Sequence, residues 1–116
     1  IPVKAASQTF LDAYKAKFNT DPIIYAPFTY DAANLIIAAM QKADSTDPAK
    51  YLPELTAIDF TGASGKIAFD DKGDRKDAEM TIFTMKGGVL EPVAIIKGGS
   101  TIKFEDFVKG GAGEQK

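Results

Sequence analysis

The sequence predicts an α/β chain, with helices in its first half and antiparallel strands in its second. Three observations carry this. Apolar residues recur at three-and-four spacing over Phe10, Ala13, Tyr14 and Phe18, and again from Ala32 to Ala43. Past Gly65 the pattern changes to short runs rich in Thr, Ile, Phe and Met. Lys86-Gly87-Gly88 separates two such runs as a hairpin turn separates paired strands.

The first helix places Phe10, Ala13, Tyr14 and Phe18 on one face, with Lys15 and Lys17 off it. Asn19-Thr20-Asp21-Pro22 stops it. Ile23 to Phe28 reads as a short extended piece, because Pro27 biases Ala26 away from helical geometry. A second helix starts near Thr29 or Asp31, with Ala32, Leu35, Ile36, Ala39, Met40 and Ala43 as its stripe. From Ala32 to Met40 only Asn34 is polar, so this helix is expected to be deeply buried. Asp47 suits an N-cap and Pro48 the first position of a third, short helix, whose buried face is Tyr51, Leu52 and Leu55. Gly62 and Gly65 flank a flexible link. Lys66 to Phe69 is a short strand, Asp70 to Asp74 a turn, and Ala78 to Lys86 and Val89 to Ile96 the hairpin strands.

Composition narrows the function. With 45% hydrophobic and 26% charged residues the chain is globular, and its 116 residues suffice for one domain. A net charge of -2 gives no reason to expect nucleic acid or an anionic membrane as partner. The sequence has no Cys and no His, which excludes disulfides, Ser-His and Cys-His catalysis, and the ligands that zinc and copper prefer. No apolar run approaches the ~20 residues that span a bilayer.

The tempting motifs fail on spacing. Asp70-Asp71-Lys72-Gly73-Asp74 puts Lys at the third position and Gly at the fourth, where a calcium loop needs an oxygen ligand third and Gly sixth. Lys97-Gly98-Gly99-Ser100-Thr101 lacks the Gly-Lys-Ser/Thr order of a phosphate loop and reads as a turn. Asp70, Asp71, Asp74, Asp77 and Glu79 lie among Lys72, Arg75 and Lys76, as on a solvated mixed-charge surface. Neither a cofactor nor a metal site is expected. Tyr25 and Phe28 bracket Pro27 just before the apolar helix. Such rings either fill core or face a ligand.

Taken in order, several of these pieces resemble one family. They are Asp21-Pro22, Tyr25-Ala26, Thr29-Tyr30-Asp31-Ala32, Ser45-Thr46-Asp47-Pro48, Phe60-Thr61-Gly62-Ala63-Ser64-Gly65-Lys66-Ile67-Ala68-Phe69-Asp70 and Lys72-Gly73-Asp74. From about Phe10 to Val93 the chain is similar to the C-terminal portion of type I periplasmic solute-binding proteins, the leucine/isoleucine/valine-binding family of ABC transporters. The resemblance implies two α/β lobes joined by crossover strands and closing on a ligand. Residues 1–61 would be the helical part of the first lobe, 62–70 a hinge crossover, 71–108 the strand part of the second lobe and 109–116 a flexible tail. It maps the family's cleft aromatic onto Tyr25, with Phe28 beside it, and places most other ligand contacts upstream of Ile1.

The expected role is an extracytoplasmic binding protein, not an enzyme. It would capture a branched-chain or other small amino acid and present it to the membrane permease of an ABC transporter. The expected location is the periplasm or the cell exterior, free or tethered to the membrane. A receptor sensor domain of the same fold is the competing role; a small α/β enzyme lacks a nucleophile-base pair. One further expectation is physical. The apolar second helix needs more cover than two other helices and an antiparallel hairpin supply, so an upstream segment or a second chain is expected against it.

Overall fold

The computed structural model describes residues 2–110. A short 3-10 turn, Val3–Ala5, leads into α1 (Gln8–Phe18), α2 (Ala26–Ala43) and α3 (Pro48–Thr56). Strands β1 (Asp59–Gly62) and β2 (Gly65–Ala68) follow, then β3 (Met80–Lys86), β4 (Val89–Lys97), β5 (Ser100–Lys103) and α4 (Phe104–Lys109).

Local chemistry sets the helix ends. Ser7 caps α1 by accepting a hydrogen bond from the Phe10 amide at 3.3 Å, and Asn19 ends it in left-handed geometry at φ 53. The extended piece expected over Ile23 to Phe28 is absent. Ile23 to Tyr25 form a turn, and α2 starts at Ala26 with Pro27 in its first turn. Proline is tolerated there because the first amides of a helix have no intrahelical acceptor. Asp47 caps α3 by accepting from the Ala49 amide at 3.0 Å. Leu52 points outward from α3, while Tyr51 and Leu55 are partly covered.

The strands form two separate sheets. In the first, β1 and β2 pair antiparallel with Phe60 opposite Ile67 and Gly62 opposite Gly65. Gly62 and Gly65 therefore close a tight hairpin instead of flanking a flexible link. An isolated bridge between Phe69 and Arg75 folds the chain back again over the Asp70 to Asp74 turn. The Asp70 carboxylate accepts from the amides of Lys72 and Asp74, both at 2.9 Å, which makes this a turn-closing side chain. The second sheet has the order β3-β4-β5, all antiparallel. Both of its turns are Gly-Gly pairs with positive φ, at Gly87 and Gly88 and at Gly98 and Gly99, as two-residue hairpins require. The turn at Lys97 to Ser100 thus starts a strand, β5, and a short helix, α4, that the sequence pattern did not indicate. Lys109 ends α4, and residues 111–116 of the expected tail lie outside the described residues.

The core is small. Leu35, Ile58 and Ile67 form its centre, with Ala38, Leu55, Phe60 and Phe69 packed around them. Ile95 is fully buried in the second sheet. Helix α2 buries one stripe, Pro27, Asp31, Leu35 and Ala39. Its other side is bare: Ile36 is 40% and Ile37 52% exposed. The deep burial expected of this helix is therefore not reached with the described residues alone. The radius of gyration, 15.8 Å, also exceeds the about 13 Å of a compact domain this long.

Candidate ligand-binding site

The buried stripe of α2 contains one charged residue. Asp31 is 1% exposed, and ion pairing does not explain its burial, since no cation bridges it among the described residues. Its partners are donors from the β1–β2 turn. Oδ1 accepts from the Ala63 amide at 2.7 Å. Oδ2 accepts from the Ser64 amide at 2.7 Å and from the Ser64 hydroxyl at 2.5 Å. A buried carboxylate is tolerable when several donors satisfy it. The approach is so close that a Cβ on Gly62 would sit 2.6 Å from Asp31 Oδ2, and nearer still to Oδ1 and Cγ. Glycine at 62 is thus dictated by space, since its backbone is not left-handed.

The same turn is held from two further sides. The Ala63 carbonyl accepts from the Ser7 amide at 2.8 Å, tying the turn to the cap of α1. Arg75 Nη2 donates to the carbonyls of Ser64 at 3.3 Å and Lys66 at 2.8 Å. Residues 62–66 are consequently fixed to α1, to α2 and to Arg75 of the Phe69–Arg75 bridge.

This lock gives the start of α2 a rigid base. Tyr25 stands at its N-cap, with its carbonyl accepting from the Thr29 amide at 3.0 Å and the Thr29 hydroxyl at 3.1 Å. The backbone at Tyr25 is therefore held, while the residue is 69% exposed. Phe28, half-buried, follows three residues later on the same turn of helix. The two candidate aromatics thus share one end of α2.

A separate groove of about 880 Å³ runs between α1 and α2 over β1. Aromatic rings line it: Phe10 lies 5.2 Å from Tyr30 and 5.8 Å from Tyr14, and Tyr14 lies 4.7 Å from Phe18, centroid to centroid. Neither Tyr25 nor Phe28 belongs to this groove. Asp31 reaches it, but its oxygens are already engaged by the turn.

No cluster of three acidic side chains is placed to hold a metal ion among the described residues. Within the carboxylate run, Glu79 departs from the solvated surface expected of it. Its side chain is 9% exposed and paired with Lys97 at 2.9 Å across the β3–β4 pair. Asp31 is a structural key that no local motif marks. The available signal was its place four and eight residues before Leu35 and Ala39, a lone charge on the buried stripe.

Comparison with known proteins places the chain in a family. A family model described as periplasmic binding protein matches residues 3–89. A leucine-, isoleucine-, valine-, threonine- and alanine-binding protein of Pseudomonas aeruginosa is 36% identical over 78 residues, which cover 66% of this chain and 21% of that protein. The crystal structure of a leucine-binding protein of Thermotoga maritima superposes with a TM-score of 0.66 at 28% identity, covering 91% of this chain and 30% of the other. The chain thus spans between a fifth and a third of the length of these relatives. With three-quarters of its length matched by that family and its fold shared with a solved leucine-binding protein, the chain belongs to the periplasmic binding proteins.

Proposed function

We propose that the chain forms the C-terminal part of a two-lobed protein that captures a small amino acid and hands it to the membrane permease of an ABC transporter. The amino-acid class follows from the relatives, whose names specify leucine and other small aliphatic or hydroxyl side chains. One structural observation carries the site: Tyr25 presents an exposed ring from backbone that is held in place at the start of a locked helix. A rigid aromatic contributes contact area at low entropic cost. Phe28, half-buried, lies three residues on in the same turn. The role is binding, as it is in the family, and it calls for a periplasmic or other extracytoplasmic location.

In this reading residues 1–61 contribute to one lobe and the β3–β4–β5 sheet to the other. We place the pivot at residues 77–79 in preference to the 62–70 segment. Residues 62–66 are locked to both helices, and the chain folds back through Arg75 before leaving this body. Asp77, at φ 50, is the first residue past that body. Ligand-driven closure would bias an equilibrium between open and closed lobes.

The test is thermal denaturation of the whole protein against a panel of amino acids. A ligand at 100 times its Kd adds roughly 2.7 kcal/mol of stability, so the true ligand raises Tm by several degrees. A panel with no shift for leucine, isoleucine, valine, threonine or alanine would refute the proposal.

A further inference from the structure

We propose that Asp31 is a positioning residue for solute binding, acting through Tyr25 by fixing the helix that carries it to the 62–64 turn. The inference rests on the reading of Tyr25 as a cleft residue. It adds what holds that residue in place.

The argument starts from the choice of a charge at a buried position. An apolar side chain at residue 31 would itself be cheaper to bury than a carboxylate, but it would leave the Ala63 and Ser64 amides without an acceptor. What a carboxylate adds is direction. Its two oxygens take the consecutive amides of Ala63 and Ser64, 2.7 Å each, together with the Ser64 hydroxyl. Two parallel bonds from one planar group set both the distance and the rotation between helix and turn. An apolar contact leaves rotation and sliding free.

The neighbouring polar groups complete the fixation. The Ala63 carbonyl is held by the Ser7 amide and the Ser64 carbonyl by Arg75. Each backbone polar group of Ala63 and Ser64 therefore has a partner. Asp31 is the partner that leads to α2. It lies six residues beyond Tyr25, under two turns along the same helix, with Pro27 one turn away on the same buried stripe. If the helix rotates about its axis, the Tyr25 ring moves with it. Gly62 belongs to the device, because only a residue without Cβ lets the turn come this close.

The experiment uses the whole protein with L-leucine as probe, and L-isoleucine, L-valine, L-threonine and L-alanine beside it. Asp31→Leu restores apolar packing without the directed bonds, and Asp31→Asn keeps the shape while opposing an amide to amides. Both variants are expected to bind the probe at least about tenfold more weakly, because a site whose support is loosened loses preorganisation. Asp31→Leu also leaves the Ala63 and Ser64 amides without their acceptor and lowers Tm, so affinity is read well below each variant's Tm, where a purely structural role would leave the folded protein binding normally. Hydrogen exchange on the unaltered protein gives a second measurement that needs no variant. The Ala63 and Ser64 amides should be as protected as those of the paired strands, with or without probe.

A folded Asp31 variant that binds as tightly as the unaltered protein overturns the proposal. So do Ala63 and Ser64 amides that exchange at the rate of an open loop. An unaltered protein that binds none of leucine, isoleucine, valine, threonine and alanine defeats the solute reading itself, and this proposal with it. Normal binding with an indifferent Asp31 defeats this proposal alone.

Discussion

Replacing Gly62 by Ala isolates the closest approach in the structure. The substitution adds one carbon at a position whose φ is not left-handed, so the backbone itself exacts no penalty. The carbon would meet the Asp31 carboxylate, with Oδ2 at 2.6 Å and two further atoms nearer. No relaxation of a few tenths of an ångström absorbs that overlap. Either the carboxylate retreats or the turn opens, and both break the bonds to Ala63 and Ser64. Hydrogen bonds to a charged acceptor contribute about 1.5–3 kcal/mol each, and a buried acceptor left unpaired adds its desolvation cost. Because one retreat weakens all three together, they do not add fully, and a loss of about 3–5 kcal/mol is expected.

A double-mutant cycle by urea denaturation of the whole protein checks the cause. With Asp31→Ala already in place the clash is gone. Gly62→Ala should then be neutral, or stabilising by about 0.4–1 kcal/mol through the lost freedom of the unfolded chain. The coupling between the two sites would be about 3 kcal/mol or more. A cost for Gly62→Ala below about 1 kcal/mol, or an equal cost in both backgrounds, refutes the reasoning.

Two other perturbations probe the ligand site and the bare surface. Tyr25→Ala in the whole protein should weaken binding of its amino acid by roughly 1–3 kcal/mol and leave the ligand-free Tm nearly unchanged, because the ring is 69% exposed and adds little to the core; a large loss of ligand-free stability with normal affinity would place the ring in the core. The 116-residue chain made alone should bind ANS or associate, since Ile23, Ile37, Leu52, Met85, Val89 and Leu90 are each more than half exposed; sedimentation as a single monomer with a cooperative melt and no dye binding would contradict this.

Elements governed by local chemistry were legible in the sequence. Asp47-Pro48 marked the start of α3, because a capping side chain and a fixed φ act within three residues. Gly87-Gly88 marked the β3–β4 hairpin for a similar reason: the turn type demands positive φ at both positions. The start of α2 was misplaced because two local rules conflict. Proline disfavours helical geometry in the residue before it, yet it fits the first turn of a helix. At Ala26 the second rule prevails, since the Ala26 amide bonds back to the Ile23 carbonyl at 3.0 Å and closes the turn that leads in. The β5 strand was missed because Ser100 to Lys103 is too short and polar for periodicity to register. Its pairing with Ala94 to Lys97 is what makes it a strand.

The candidate site divides along the same line. Tyr25 stands out in the sequence as an aromatic two residues before a proline, and the structure places it exposed at the N-cap of α2, while its ligand contact is part of the proposal. Asp31 was not recognised, because its meaning depends on residues 32 and 33 positions away. No window along the chain contains both the carboxylate and the amides that satisfy it. What the sequence does show is an inconsistency between levels: a charge where the helical period calls for an apolar residue, and a Gly-Ala-Ser turn with no hydrogen-bonding partner nearby. Each is unfavourable in isolation, and together they satisfy each other. A buried charge and a turn of unclaimed amides are complementary defects, and looking for such pairs is the way a long-range lock can be found before a structure exists.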